Sequence, residues 1–313
     1  MQKFSSLEEL NLDLSNGSVV TIGMFDGVHL GHQQVIRTCS AYAGKHLYTS
    51  ILITFANHPA EYFNSNDSVH LLTQVDEKIK RLAGSSIDHV LILPFDKTMA
   101  ELTAIDFVQR ILLDKLNCKA VVFGYDNHFG KNREGSKDFV ANNYGHLIQT
   151  IVVNEELIES EIISSSRIKQ HLEAGEIEKA NACLGYAYEL SATIIHGNAL
   201  GRTIGFPTAN YSLIDAKKVL PLPGVYLTKS VIQTPTGIIE RFGLTNIGFR
   251  PTVTSIPSLS IETNLINFDA DIYECVITTQ FLQRIRSEVK FNSIEELKNQ
   301  ITQDKQIALS LLA

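Results

Sequence analysis

No apolar run in the 313-residue chain approaches the roughly 20 residues that a bilayer-spanning helix needs. The opening residues, MQKFSSLEELNLDL, alternate polar and apolar and lack the apolar block of a secretory leader. Both absences point to a cytoplasmic protein with no membrane partner. Cysteine is scarce. Cys39, Cys118, Cys183 and Cys275 stand far apart, so no close pair is available to clip a metal. Each lies among apolar neighbours, where a thiol serves as a small core side chain. A basic surplus is missing too: 27 Lys and Arg face 34 Asp and Glu, for a formal charge of −7. That balance argues against a broad nucleic-acid surface and leaves any phosphate ligand to local loops.

What is present is enough apolar residue, 44%, to fill the cores of two ordinary domains. In the first half, strand and helix signals alternate. Apolar stretches at 18–23, 47–55, 89–93, 120–124 and 147–153 read as buried strands. Between the first two, Val35, Ile36, Cys39 and Tyr42 recur at helical spacing. TQVDEKIKRLAG sets Thr73 three residues before Asp76, and TAIDFVQRILLDKL repeats that capping spacing with Thr103 and Asp106. Such an order predicts right-handed βαβ units and a parallel sheet covered on both faces. Beyond about residue 185, short β-branched and aromatic segments follow one another at 192–196, 207–211, 225–232, 242–245, 259–265 and 273–281. These predict a small antiparallel barrel. A last helix is marked by Ser293 with Glu296 and a stripe of Ile294, Leu297, Ile301, Ala308 and Leu311. The expected division is 1–184 and 185–313.

Two stretches carry chemistry. The first, GMFDGVHLGH at 23–32, follows the first strand and opens a helix, with Gly23, Gly27, Gly31, Phe25, Asp26, His29 and His32 in one turn. Ligands of open parallel sheets bind beyond the carboxyl ends of the strands, often at a helix N-terminus. Glycines there admit a phosphate close to the backbone, and two imidazoles can steady charge that grows on a leaving pyrophosphate. A plain Asp-Gly turn beside surface histidines is the simpler reading. The second stretch is HGNALGRTIGFPTANY at 196–211, with Gly197, Gly201 and Gly205 around Arg202. No Gly-Lys-Ser/Thr follows, so it is not a P-loop of that type. If 207–211 is extended, Thr208 and Asn210 share a face. Two neutral oxygens beside ATP phosphates suit Mg²⁺. A glycine-rich hairpin is the alternative.

The first stretch resembles the H-x-G-H nucleotidyltransferases, and more closely the FMN adenylyltransferase module of bacterial bifunctional riboflavin kinase/FAD synthetases. ITFANHP carries that family's T-F-x-x-H-P at Thr54, Phe55, His58 and Pro59. VVFGYDNHFGKNREG is similar to its G-x-D-F-x-F-G-x-x-R-x-G, with Asp126 and Phe129 in place and Asn127 where an aromatic is usual. IISSSRIKQHL sets Ser164, Ser165 and Ser166 before a helix, with Lys169 where the motif ends in arginine. The second stretch resembles the riboflavin kinase signature G-x-x-x-G-R-x-x-G-F-P-T-A-N. PGVY at 223–226, LTNIGFRPTV at 244–253 and SIET at 260–263 follow in the family's order.

The resemblance implies a Rossmann-like nucleotidyltransferase domain followed by a riboflavin kinase-like β-barrel. ATP would phosphorylate riboflavin to FMN in the barrel, and a second ATP would adenylylate FMN to FAD in the first domain. Gly23, Phe25, Asp26, Gly27, Gly31, His29, His32, Ser164–Ser166 and Lys169 would then hold this second ATP. His58, Pro59, Asp126, Asn127 and Phe129 would lie on its flavin side, with the Asp126 loop shaping that side or assisting a metal. In the barrel, Gly197, Gly201, Gly205 and Arg202 would meet phosphate, Thr208 and Asn210 Mg²⁺, and Asn246 and Arg250 the flavin. Glu262 would be the base. A kinase with a silent adenylyltransferase domain, and a non-catalytic flavin carrier, are the alternatives.

Overall fold

The computed structural model describes residues 1–63, 69–158, 161–197, 200–214, 217–250 and 258–313. The chain divides into two compact units, 1–165 and 166–313. In the first, β1 (Gln2–Phe4), β2 (Ser18–Ile22), β3 (Thr49–Phe55), β4 (His89–Leu93), β5 (Cys118–Phe123) and β6 (Gln149–Val152) form one sheet in the order β1-β4-β3-β2-β5-β6. Every pairing is parallel. All five residues of β2 are buried. Their alternation feeds two cores, with Val20 and Ile22 in one and Val19 in the other. That two-sided burial is why the strands read as continuous apolar runs rather than alternating ones. The strand order reverses between β2 and β5, and the connections leaving these strands diverge there, which opens a crevice at their carboxyl ends. A two-stranded ribbon, β7 (Leu157–Ile158) with β8 (Glu161–Ile162), lies beyond β6.

In the second unit, β9 (Tyr188–Ile195), β10 (Ala209–Leu213), β11 (Gly224–Thr234), β12 (Gly237–Arg250), β13 (Ser258–Leu265) and β14 (Val276–Ser287) close into an antiparallel barrel in the order β10-β13-β12-β11-β14-β9. Its interior is not uniformly apolar. Thr228, Thr245 and Thr263 are fully buried and linked hydroxyl to hydroxyl at 2.8 and 2.7 Å, and Thr263 donates to Tyr211 at 2.7 Å. Neutral hydroxyls that satisfy one another can be buried at little net cost. Because side chains alternate, this inward row fixes Asn246 and Glu262, one position away, on the outer face.

Three expectations are corrected. Thr73 does not cap the helix Val75–Ala83; Gln74 does, in a reciprocal box with Glu77, because the Thr73 hydroxyl is taken by the Gly27 N–H at 2.8 Å. Thr103 does cap at Asp106 N, but after Asp106 the helix continues with π spacing over Phe107–Lys115. In the terminal helix Ile294–Leu312, capped by Ser293 as expected, Ile294 and Leu311 are exposed. The buried face there holds Ala308 and Asp304, whose carboxylate takes a forked bond from Arg286 at 2.9–3.0 Å. The segment 166–184 groups with the barrel unit: Asn181 bridges the Phe281 carbonyl and the Tyr188 N–H at 2.8 and 2.7 Å. Cys39, Cys118 and Cys183 are buried and Cys275 half-buried, all as free thiols. Among the described residues no helix is long and apolar enough to cross a membrane.

Candidate active sites

In the first unit the chain leaves β2 into residues 23–29 with an unusual backbone. Phe25, Gly27 and Val28 take φ of 51°, 84° and 39°. For a β-branched residue such as Val28 this is a strained conformation, and strain of this kind persists only where the surroundings enforce it. The enforcement is visible. Asp26 Oδ1 accepts the N–H groups of Leu72 and Thr73 at 2.9 and 3.0 Å, and Ser165 Oγ donates to the Asp26 carbonyl at 2.9 Å. Phe25 and Asp26 are therefore braces beneath the loop, 2% and 5% exposed. A Cβ on Gly31 would stand 3.3 Å from the His29 ring, so glycine is what lets that ring lie over the helix start.

His29 is the N-cap of the helix Leu30–His46, and its Nδ1 accepts the His32 N–H at 3.3 Å. Acceptance at Nδ1 puts the proton of the neutral ring on Nε2, where it can be donated outward. The two imidazoles stack with centroids 3.6 Å apart. Burial drives His29 down to about 4, against the pull of the Asp26 and Asp126 carboxylates. Burial also holds His32 well below its ordinary value, helped by His29 and Lys78. Both rings are neutral donors at neutral pH. No acidic side chain occupies the first turn of their helix, so its free N–H groups and dipole present an anion site.

The other sequence candidates for adenylyl transfer lie as follows. His58 caps the short helix that begins at Pro59, its Nδ1 accepting the Ala60 N–H at 3.1 Å. Asp126 is exposed at the end of β5. Asn127, where the family has an aromatic, donates to the Ile22 carbonyl at 2.8 Å and so ties the β5 loop to the end of β2. Phe129 does not face outward. Its ring is 6% exposed and packs on Phe107 and Phe123, while Gly135 leaves room for it. Ser164 is half-buried just before the helix Ser165–Glu173; Ser166 is exposed on that helix, and Lys169 is four residues on from Ser165.

Two features escaped the motif reading. Tyr62 and Phe63, 41% and 65% exposed, stand edge-on to Phe95 near the ends of β3 and β4 and form an open aromatic platform. Lys78 is buried under the loop. Its sequence signal was a lysine on the stripe Val75, Lys78, Ile79, Leu82, which should have been apolar throughout.

In the barrel, register does the assembly. Glu262 of β13 lies opposite Asn210 of β10 on one side and Asn246 of β12 on the other. Thr208 Oγ1 donates to Glu262 Oε2 at 3.1 Å. Thr208, Asn210, Asn246 and Glu262 therefore form one polar cluster. Glycine is required beside it, since a Cβ on Gly197 would fall inside the Asn210 amide and one on Gly201 would meet the Phe206 carbonyl. Gly205 has φ of 87°, a left-handed turn that returns the chain to β10. Arg202 is exposed on the short helix Leu200–Thr203. The Arg250 side chain, residues 198–199 and residues 251–257 lie outside the described residues.

A parallel sheet with neutral histidines at its crevice, followed by a barrel with an oxygen-rich cluster beside a glycine loop, defines a class of two-unit proteins that work on phosphates. Comparison narrows the class. The FAD synthetase family matches residues 12–167 and the riboflavin kinase family residues 184–312. Relatives named bifunctional riboflavin kinase/FMN adenylyltransferase include one from Haemophilus influenzae, 35% identical over 98% of both chains. Others are from Bacillus subtilis, 35% identical over 93% of this chain and 92% of that one, and from Escherichia coli K12, 34% identical over 97% and 96%. A solved structure described as a macrolide-efflux protein from Streptococcus pneumoniae superposes with a TM-score of 0.87 at 28% identity, covering 98% of this chain and 97% of that one. The chain belongs to the bifunctional riboflavin kinase/FMN adenylyltransferase family.

Proposed function

We propose that the chain makes FAD from riboflavin in two ATP-dependent steps, with phosphorylation carried by residues 185–313 and adenylylation by residues 1–184. The observation that carries this is the pairing of the Thr208–Asn210–Asn246–Glu262 cluster in the barrel with the neutral His29–His32 pair at a helix N-terminus in the sheet unit. Both belong to family matches that together span nearly the whole chain.

In the barrel, the primary hydroxyl of riboflavin attacks the γ-phosphorus of ATP. The new O–P bond forms as the bond from that phosphorus to the ADP oxygen breaks, and Glu262 takes the hydroxyl proton. Asn246 and Arg250 would face the flavin, while Arg202 and the backbone at Gly197, Gly201 and Gly205 would meet the phosphates. Positioning and charge stabilisation supply most of the rate in such transfers. Thr208, Asn210 and Glu262 are all hard oxygen donors, which suits Mg²⁺. Among the described residues no group of three His, Cys, Asp or Glu could hold a metal alone, so a cation there would share phosphate and water oxygens. When bound, Mg²⁺ would neutralise phosphate charge; Thr208 and Asn210 would hold it.

In the sheet unit, a phosphate oxygen of FMN attacks the α-phosphorus of a second ATP, and the bond from that phosphorus to pyrophosphate breaks. No proton must move. The Nε2–H of His29, the His32 ring and the helix N–H groups hold the triphosphate and meet the charge on pyrophosphate. Ser164 and Ser165 would extend that grip to the start of the next helix. His58, Asp126 and the loop tied down by Asn127 would bound the flavin side, with the Tyr62–Phe63 platform offering a stacking surface for an aromatic ring.

A chromatographic time course with riboflavin, ATP and Mg²⁺ tests the proposal. FMN should appear first and then convert to FAD. FMN that accumulates without FAD, even when FMN is the substrate supplied, refutes the role of the sheet unit. No product of either kind refutes both.

A further inference from the structure

The helix Val75–Ala83 buries two side chains, Leu82 and Lys78. Lysine is seldom buried unless its charge is answered. Here Nζ donates to the Met24 carbonyl, the Thr54 hydroxyl and the Phe55 carbonyl, each at 3.0 Å. An ammonium has three hydrogens, and all three are used. A neutral amine has two, so its formation would strip one acceptor of its donor. The acceptors lie at the carboxyl ends of β2 and β3, and Met24 leads directly into the strained stretch at Phe25, Gly27 and Val28.

The same short segment grips the loop elsewhere. Leu72 N and Thr73 N donate to Asp26, and the Thr73 hydroxyl accepts from Gly27. Lys78 completes that grip from below. The charged and titratable groups around it are Asp26 from the loop and His32 from the helix Leu30–His46, with His29 stacked on His32. Among the described residues the β3 side chain bonded to it is the neutral Thr54; on its own helix Glu77 accepts from the Gln74 N–H, and Lys80 and Arg81 are the other cations.

We propose that Lys78 is a positioning residue for adenylyl transfer: its ammonium fastens the start of the nucleotide loop to β3 and sets one positive charge near His32, which adds to the burial that keeps that ring a neutral donor to the ATP phosphates. This rests on the reading of the loop as the ATP site. Two consequences follow from the geometry. Deprotonation removes one of the three bonds by which Lys78 joins Met24 to the end of β3, leaving the Thr54 hydroxyl's own bond to the Met24 carbonyl at 3.0 Å, and loss of the charge lets His32 take a proton more readily. Burial brings the Lys78 ammonium down to about 8, so the first consequence falls within an accessible pH range.

The test uses the full chain with Lys78→Met and Lys78→Arg. FAD formation from FMN and FMN formation from riboflavin are measured across pH, and the His32 ring is titrated by NMR. In the parent protein, kcat/KM for ATP in FAD formation should fall above about pH 8, while riboflavin phosphorylation should not share that limb. Lys78→Met should lower FAD formation about 100-fold, the scale of a misplaced reacting group, with riboflavin phosphorylation unchanged and the His32 midpoint raised. Lys78→Arg, charged at all pH values used, should recover part of the activity and lose the limb near 8. A Lys78→Met protein that keeps both the FAD rate and the limb overturns the proposal. If that variant does not fold, a parent profile flat through about pH 9 overturns it instead. If the parent makes no FAD, the adenylyltransferase reading has failed and the catalytic part of the proposal with it; the His32 midpoint then decides the charge contact alone, an unmoved value in Lys78→Met overturning it and a raised one sustaining it.

Discussion

Acidification should weaken the sheet unit through His29 in a window that can be stated in advance. The ring is 5% exposed and its folded value is about 4, against 6.5 for the unconstrained side chain, because burial disfavours the charged form. As pH falls through 6.5 the unfolded chain takes up a proton that the folded chain refuses until about pH 4. The unfolded state therefore binds more protons across this window, and stability must fall with pH. The two values differ by about 2.5, which at about 1.4 kcal/mol for each tenfold step is about 3 kcal/mol lost on going from neutral pH to pH 4. His29→Asn keeps a side-chain oxygen at the N-cap position, so it retains the cap but removes the titrating ring. Urea unfolding followed by far-UV circular dichroism should show the parent losing about 3 kcal/mol more than His29→Asn between neutral pH and about pH 4. Equal losses in the two proteins would refute the buried, neutral state of His29, and with it the assignment of its proton to Nε2.

Three further outcomes are expected. Glu262→Gln should slow riboflavin phosphorylation by about 100-fold or more while FMN adenylylation continues; undiminished FMN production removes Glu262 as the base. Gly197→Ala places a Cβ inside the Asn210 amide, so riboflavin phosphorylation should require more Mg²⁺ for half-maximal rate, and an unchanged Mg²⁺ titration counts against Asn210 as a ligand. Asp304→Ala strands the Arg286 guanidinium, 19% exposed, against the terminal helix; breaking such a pair costs about 3–5 kcal/mol, read as a lowered urea midpoint for the barrel unit, and an unshifted midpoint would show that the pair contributes little.

Much of this was legible in the chain because burial on two faces leaves continuous apolar runs. β2 through β5 were visible for that reason, whereas β1 was not: of its three residues only Phe4 is buried. β12 was read as four residues and spans fourteen, since Glu240 and Arg241 on its exposed course hide the strand's extent. The misplaced cap at Thr73 has a different origin. A hydroxyl can cap its own helix or serve a distant backbone, and Thr73 serves Gly27, 46 residues away. Local spacing cannot record such a choice. Motif position likewise located Phe25, Asp26 and Phe129 at the site without showing that all three are buried and act as supports.

The two proposed sites would meet phosphate differently, and the difference follows from their scaffolds. A parallel sheet delivers a helix N-terminus to the ligand, with oriented N–H groups already in place. Side chains there need only add neutral donors, and burial is the main cause that keeps His29 and His32 neutral. An antiparallel barrel offers no such terminus; what it offers is register. Asn210, Glu262 and Asn246 come side by side because three adjacent strands pair at those residues. Oxygen ligands in a row attract a cation rather than an anion. A phosphate site built on a barrel wall therefore calls for Mg²⁺ and a glycine loop, while one built at a sheet's crevice calls for imidazole and a fixed charge beneath it. The proposed sites follow this division, with oxygen donors at Thr208–Glu262 on the one hand and a stacked imidazole pair at His29–His32 on the other.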